Sequence, residues 1–192
     1  VIAAVQTGRG KSGMGSTVVA VLMTRDGYEV AWVGDSRAYL WDGKLTLLTR
    51  DHSFIETQLH SGQISLEEAR THPRRHVILQ AVGSQTTGNL DVGRNSGKLG
   101  PNSCLLLCSD GITDSLDSAQ LCQLLSHSTA VAETCQRIVT MALQCGGSDN
   151  ATAVLIAYSG IPADPPRMMA PDQVVWIYDP ATAKDEGLPD VT

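Results

Sequence analysis

The sequence predicts an α+β domain built on antiparallel sheet, and three observations carry that prediction. Apolar runs of strand length crowd the early part of the chain, over residues 17–23, 28–33 and 37–41. Segments with helical spacing follow, at Phe54, Ile55 and Leu59 and then over 116–125 and 131–143. A last apolar run, 151–158, returns as a strand. Strands first, helices next and a strand returning is a layered order, not a βαβ repeat.

Residues 17–23 read as a buried strand. Residues 28–33 and 37–41 are expected to pair across Gly34-Asp35-Ser36. Asp42-Gly43 is a hairpin signal leading into 45–48, so the whole run reads as a β-meander. Over 51–82 the period turns helical. Leu66 and Ala69 share a face in a segment opened by Ser65, with Glu67 and Glu68 in its first turn. His72-Pro73 ends that helix, because the residue before a proline is pushed out of the helical region. A loop with Gly88, Gly93, Gly97 and Gly100 comes next. Residues 104–108 form a continuous apolar strand, with Asp110 just past its end. The 131–143 helix places Val131, Cys135, Ile138, Val139 and Ala142 on one face.

Composition excludes several classes of function. A chain of 192 residues holds about one domain and can bury a proper core. With a single Phe, that core rests on Val, Leu, Ile and Ala. A net charge of −6 argues against a nucleic-acid binder that works by neutralising phosphates. No apolar stretch approaches the roughly 20 residues needed to span a bilayer, so no membrane role is expected. Five cysteines without CxxC or Cys/His zinc spacing read as reduced thiols, with Cys104 and Cys108 acting as small hydrophobes.

The chain divides into three parts. Residues 1–12 are a lead-in or the remnant of a missing N-terminal part. Residues 13–158 form the domain, with an insert over 51–83. Residues 159–192 form a Pro-rich tail with six acidic and two basic residues, −4 of the −6. Only the island at 174–178 is apolar there. Gly10-Lys11-Ser12 imitates the end of a phosphate-binding loop, but Val5 stands where its first Gly belongs.

Three acidic segments carry the chemistry: Gly34-Asp35-Ser36-Arg37, Ser109-Asp110-Gly111 and Gly146-Gly147-Ser148-Asp149-Asn150. A carboxylate at a strand-to-turn boundary, with backbone and water beside it, suits a hard divalent cation. Oxygen-only sites of that kind serve chemistry on phosphate. Four ordered blocks extend the pattern: Gly13-Met14-Gly15-Ser16-Thr17, Val33-Gly34-Asp35-Ser36-Arg37-Ala38-Tyr39 with Asp51-His52, Leu107-Cys108-Ser109-Asp110-Gly111-Ile112, and Gly147-Ser148-Asp149-Asn150-Ala151-Thr152. Together they resemble the metal-dependent protein serine/threonine phosphatases of the PP2C (PPM) type. The segment 53–82 resembles the flap of the bacterial branch.

The resemblance implies a PP2C-like α-β-β-α sandwich of antiparallel sheets flanked by helices. It implies Mn²⁺ or Mg²⁺ in a binuclear centre, with a third ion in bacterial members, activating water against phosphoserine or phosphothreonine. Asp110 and Asp149 match catalytic metal ligands, and Asp35 matches the position that forms the third site with Asp110. Asn150 is expected to orient Asp149 by hydrogen bonding. Asp114 reads as a helix N-cap. His72 and Arg74, with Arg75 and His76 nearby, are candidates for holding substrate. Expected partners are phosphoproteins, substrates of an opposing Ser/Thr kinase, in the cytoplasm.

One departure shapes the expectation. The family's bridging Asp in an Asp-Gly-x-Gly-Gly block is missing, and residues 1–12 contain no acidic residue. The family's phosphate-gripping arginine and general-acid histidine are also unmatched. The fold is therefore expected to be N-terminally incomplete, binding Mn²⁺ weakly and turning over little p-nitrophenyl phosphate. The alternative is a catalytically inactive, phosphatase-like binding module.

Overall fold

Strand pairing sorts the early apolar runs into two separate sheets. The structure is a computed structural model and describes residues 7–11, 13–24, 27–84, 90–127, 130–147 and 149–158. The first six residues and the tail from 159, including the 174–178 island, lie outside the described residues. One sheet holds β1 (Val18–Met23), β2 (Gly27–Val33) and β5 (Gly93–Lys98), in the order β1-β2-β5. The other holds β3 (Arg37–Trp41), β4 (Leu45–Leu47), β6 (Ser103–Cys108) and β7 (Ala153–Tyr158), in the order β4-β3-β6-β7. Every pair is antiparallel. The expected α+β class and antiparallel sheets flanked by helices are what the chain forms.

The sheets stack through alternate side chains. Tyr28, Val30 and Trp32 of β2 pack against Ala38 of β3 and Leu105 and Leu107 of β6. The opposite face of the second sheet, with Tyr39, Leu106, Cys108, Ala153 and Leu155, is covered by two helices. These are α4 (Ser118–Ser126) and α5 (Val131–Gln144). Along α5, Thr134, Cys135, Ile138, Val139 and Ala142 are buried, at the spacing of one helical face. α4 begins later than its apolar pattern suggests. Leu116 is buried ahead of it, and Asp117 with Gln120 makes a reciprocal capping box that fixes the first turn at Ser118.

Three local expectations need correction. Residues 28–33 and 37–41 do not pair, since the chain leaves one sheet at Gly34 and enters the other at Arg37. Gly34 has φ +110°, and a Cβ there would collide with the Thr17 side chain. This corner forces the crossing. β1 is not buried on both faces either: Val18 is 44% and Leu22 62% exposed on the outer side of the three-stranded sheet. The Gly-rich stretch is not all loop, because Gly93 and Gly97 lie within β5. A Cβ at either would press into the Trp32 or Tyr28 ring, so glycine is what lets β5 lie beside these aromatics.

The rest follows the pattern. Asp42-Gly43 closes the β3–β4 hairpin, with the Lys44 amide donating to Asp42 Oδ1 at 3.3 Å. α1 (Phe54–His60) and α2 (Leu66–Thr71) make up the insert, and Ser65 caps α2 in a capping box with Glu68. All five cysteines are free. Burial pushes the Cys108 thiol up to about 12 and the Cys104 thiol to about 11, as for small hydrophobes in an apolar layer. No helix among the described residues is long and apolar enough to cross a membrane.

Candidate metal centre

Register brings the three acidic segments to one end of the four-stranded sheet. Arg37 pairs with Cys108, and Cys108 pairs with Ala153. Asp35, just before β3, Asp110, just after β6, and Asp149, ahead of β7, therefore emerge at the same edge. Sequence separation is irrelevant once these three strands lie side by side.

Short-range bonds lock the Asp110 and Asp149 loops together. The Ser109 amide donates to the Thr152 carbonyl at 3.1 Å, and the Thr152 amide donates to Ser109 Oγ at 3.0 Å. Ser109 Oγ in turn donates to the Asn150 carbonyl at 3.2 Å. A Cβ on Gly111 would run into that same carbonyl, so glycine is required where the loops touch. The Asn150 amide donates to Asp149 Oδ1 at 2.7 Å, so Asn150 meets Asp149 through its backbone. The Gly111 amide donates to Asp110 Oδ1 at 2.9 Å. Asp110 is the first residue of α3 (Asp110–Thr113), the short helix that turns the chain away from β6.

The electrostatics are those of crowded carboxylates. Partial burial, then repulsion from Asp110, raises Asp35 to about 6; its own amide, and Arg37 more weakly, pull the other way. Burial also raises Asp110, with Asp114 and Asp149 adding to the rise. The Gly111 amide and His76 act against it. Concentrated negative charge on hard oxygen donors suits Mg²⁺ or Mn²⁺ in kind. In number the set is short. Among the described residues no three Asp, Glu, His or Cys side chains stand close enough together to hold an ion unaided, and residues 1–12 have no carboxylate to add.

The histidines and arginines of the insert divide in a way the sequence did not suggest. His72 and Arg74 are occupied within it. His72 Nδ1 accepts from the Arg74 amide at 3.0 Å, the His72 ring lies 5.5 Å from the Phe54 ring, and the Arg74 guanidinium sits 4.8 Å over that ring. His76 instead reaches the acidic edge, its Nδ1 lying 3.5 Å from Asp114 Oδ2. Asp114 is not an N-cap. It closes the C-terminal end of α3, and Asp117 caps the next helix.

A second feature missed in the sequence is the pair Arg37–Asp51. Arg37 Nε donates to Asp51 Oδ1 at 3.0 Å, and Nη2 donates to Oδ2 at 2.7 Å. This fork ties the start of the insert to β3. The two residues stood in the quoted blocks, but nothing in a one-dimensional pattern says that they meet.

A family model described as protein phosphatase 2C matches residues 3–145. The chain belongs to the protein phosphatase 2C family. Among its family relatives, the serine/threonine phosphatase stp of Listeria monocytogenes is 36% identical over 146 residues, 76% of this chain and 57% of the relative. Serine/threonine protein phosphatase PstP of Mycobacterium tuberculosis is 37% identical over 145 residues, 74% of this chain and 27% of the relative. The crystal structure of M. tuberculosis PstP/Ppp superimposes with a TM-score of 0.74 at 33% identity, covering 83% of this chain and 66% of that one. A PstP catalytic domain solved in complex with 2 manganese ions gives a TM-score of 0.70 at 31% identity, covering 81% and 64%. The chain spans little more than half the length of the curated stp relatives it matches.

Proposed function

We propose that this chain is part of a metal-dependent serine/threonine phosphatase acting on phosphoserine or phosphothreonine in proteins. The observation that carries the reading is the convergence of Asp35, Asp110 and Asp149 at one sheet edge, in a chain of the protein phosphatase 2C family. Asp110 and Asp149 are the proposed ligands of a binuclear Mn²⁺ or Mg²⁺ centre, and Asp35 with Asp110 would hold a third ion. Bound there, the cations lower the pKa of a water and offset the charge of the phosphate. The chain's own residues set that stage. The Ser109–Thr152 and Ser109–Asn150 bonds hold Asp110 and Asp149 at a fixed separation, and the Asn150 amide keeps one Asp149 oxygen oriented. Residues 13–158 are the proposed domain. Substrates are phosphoproteins of an opposing Ser/Thr kinase, in the cytoplasm.

The test is phosphate release from a phosphothreonine peptide by this chain, with Mn²⁺ and with a chelator. The expected result is slow release that requires Mn²⁺ and vanishes in Asp110→Asn. Release that ignores the chelator, or survives Asp110→Asn, overturns the reading.

A further inference from the structure

Beside Asp110, the insert over 51–83 reaches the acidic edge through His76, one of the four insert residues that the sequence offers for holding substrate. His72 and Arg74 are committed to each other and to Phe54. Their polar groups brace the insert from within. Two backbone bonds then turn the chain, from the Arg75 amide to the His72 carbonyl at 3.0 Å and from the Val77 amide to the Arg74 carbonyl at 3.1 Å. The Phe54 amide donates to the Val77 carbonyl at 2.9 Å, and the Leu79 amide donates to the His52 carbonyl at 2.7 Å. These bonds fix the segment on both sides of residue 76. His76 is left projecting at the rim, 3.5 Å from Asp114, with both side chains about half exposed.

Resting on the phosphatase reading above, we infer that His76 is a contact from the insert to the substrate phosphate, and that Asp114 is its positioning residue. The geometry gives each ring nitrogen a task. Nδ1 faces the Asp114 carboxylate, which restrains the imidazole, and Nε2 remains to meet a phosphate oxygen. Asp114 leaves α3 one turn after Asp110, with the Asp114 amide donating to the Asp110 carbonyl at 2.7 Å. A ring held by Asp114 is therefore indexed to the backbone that carries Asp110. A basic group here would also offset the repulsion that a phosphate dianion meets on approaching several carboxylates.

The experiment is equilibrium binding of a fluorescein-labelled phosphothreonine peptide to the full chain in Mn²⁺, with the unphosphorylated peptide as control. His76→Ala is expected to weaken binding by about tenfold, the scale of one charge-assisted hydrogen bond. His76→Lys should stay within about threefold of the parent, since it restores a cationic donor, and Asp114→Asn should fall between the two. His72→Ala should leave the affinity within about twofold. Melting temperatures should barely move for His76→Ala, because the side chain is half exposed. Unchanged affinity in His76→Ala overturns the inference, as does equal loss in His76→Ala and His76→Lys. A loss seen in Arg75→Ala but not in His76→Ala also overturns it. Failure of the parent chain to bind the phosphopeptide in Mn²⁺ removes the phosphatase reading, and this inference with it. Binding by the parent that ignores residue 76 removes this inference alone.

Discussion

Arg37 and Asp51 grip each other through a fork of three hydrogen bonds across 14 residues of sequence, with Asp51 largely shielded from solvent. The Arg37 guanidinium is held more firmly protonated by that carboxylate. Fork geometry makes the pair a joint between β3 and the insert. Asp51→Ala leaves a partly buried guanidinium without its acceptor and is expected to cost about 1–3 kcal/mol. Urea unfolding followed by far-UV circular dichroism reads this directly. A midpoint unchanged from the parent would show that the joint carries no load.

Gly111 is the tightest point between the two acidic loops. Gly111→Ala drives a methyl into the Asn150 carbonyl, so the Asp110 and Asp149 loops must part. The expected cost is about 1–3 kcal/mol, the range for overpacking a close contact. Weakened Mn²⁺ binding should accompany it in isothermal titration, whereas Gly43→Ala, far from the centre, should leave Mn²⁺ binding alone. Equal Mn²⁺ affinity in Gly111→Ala and the parent would contradict this account of the site.

The raised Asp35 carboxyl predicts a pH dependence of stability in the presence of chelator. Its folded value is about 6 against 3.8 for the unconstrained group. The folded state therefore binds this proton more tightly, and stability falls as the proton leaves. The contribution is fully present below about pH 4 and is lost as pH rises through about 6. Asp35 is only partly buried, so screening reduces the swing to on the order of 1 kcal/mol. Asp35→Asn should flatten this part of the curve, leaving the smaller slope from Asp110, which shifts in the same direction. Mn²⁺ should stabilise the parent more at pH 7 than at pH 5. A chelated parent whose stability rises between pH 4 and 6 would refute the assignment.

Thiol reactivity should follow burial. Cys108 is buried and its thiol pushed up to about 12, while Cys145 is exposed at the end of α5. Iodoacetamide under native conditions should modify Cys145 first and leave Cys108 untouched until denaturant is added. Peptide mapping by mass spectrometry settles the order, and early alkylation of Cys108 would mean that the helix layer opens readily.

What could be read from the sequence was whatever depends on near neighbours. The 3.6-residue spacing of Cys135, Ile138, Val139 and Ala142 gave α5, and Asp42-Gly43 gave the β3–β4 hairpin, because each signal sits within one element. The acidic blocks were visible as residue types. The three Gly misreadings share a cause. Gly34, Gly93 and Gly97 are glycines because of partners far along the chain, Thr17, Trp32 and Tyr28, which a local window does not contain. Asp114 suits a helix N-cap by residue type alone; only the helix boundaries show that Asp117 holds that position. His76 looked no different from His72 until the turn through 72–77 pointed one inward and the other at Asp114.

The corner at Gly34 has a mechanical consequence. Asp35 stands on the link between the two sheets, whereas Asp110 and Asp149 belong to the second sheet alone. An ion shared by Asp35 and Asp110 would act as a rivet, fastening the link to one sheet and opposing any slide of the other across the Val30–Leu105 layer. By linkage, whatever loosens that layer must weaken the ion, and whatever seats the ion must stiffen the layer. Trimming Leu105, well away from any carboxylate, should therefore register as a change in metal affinity.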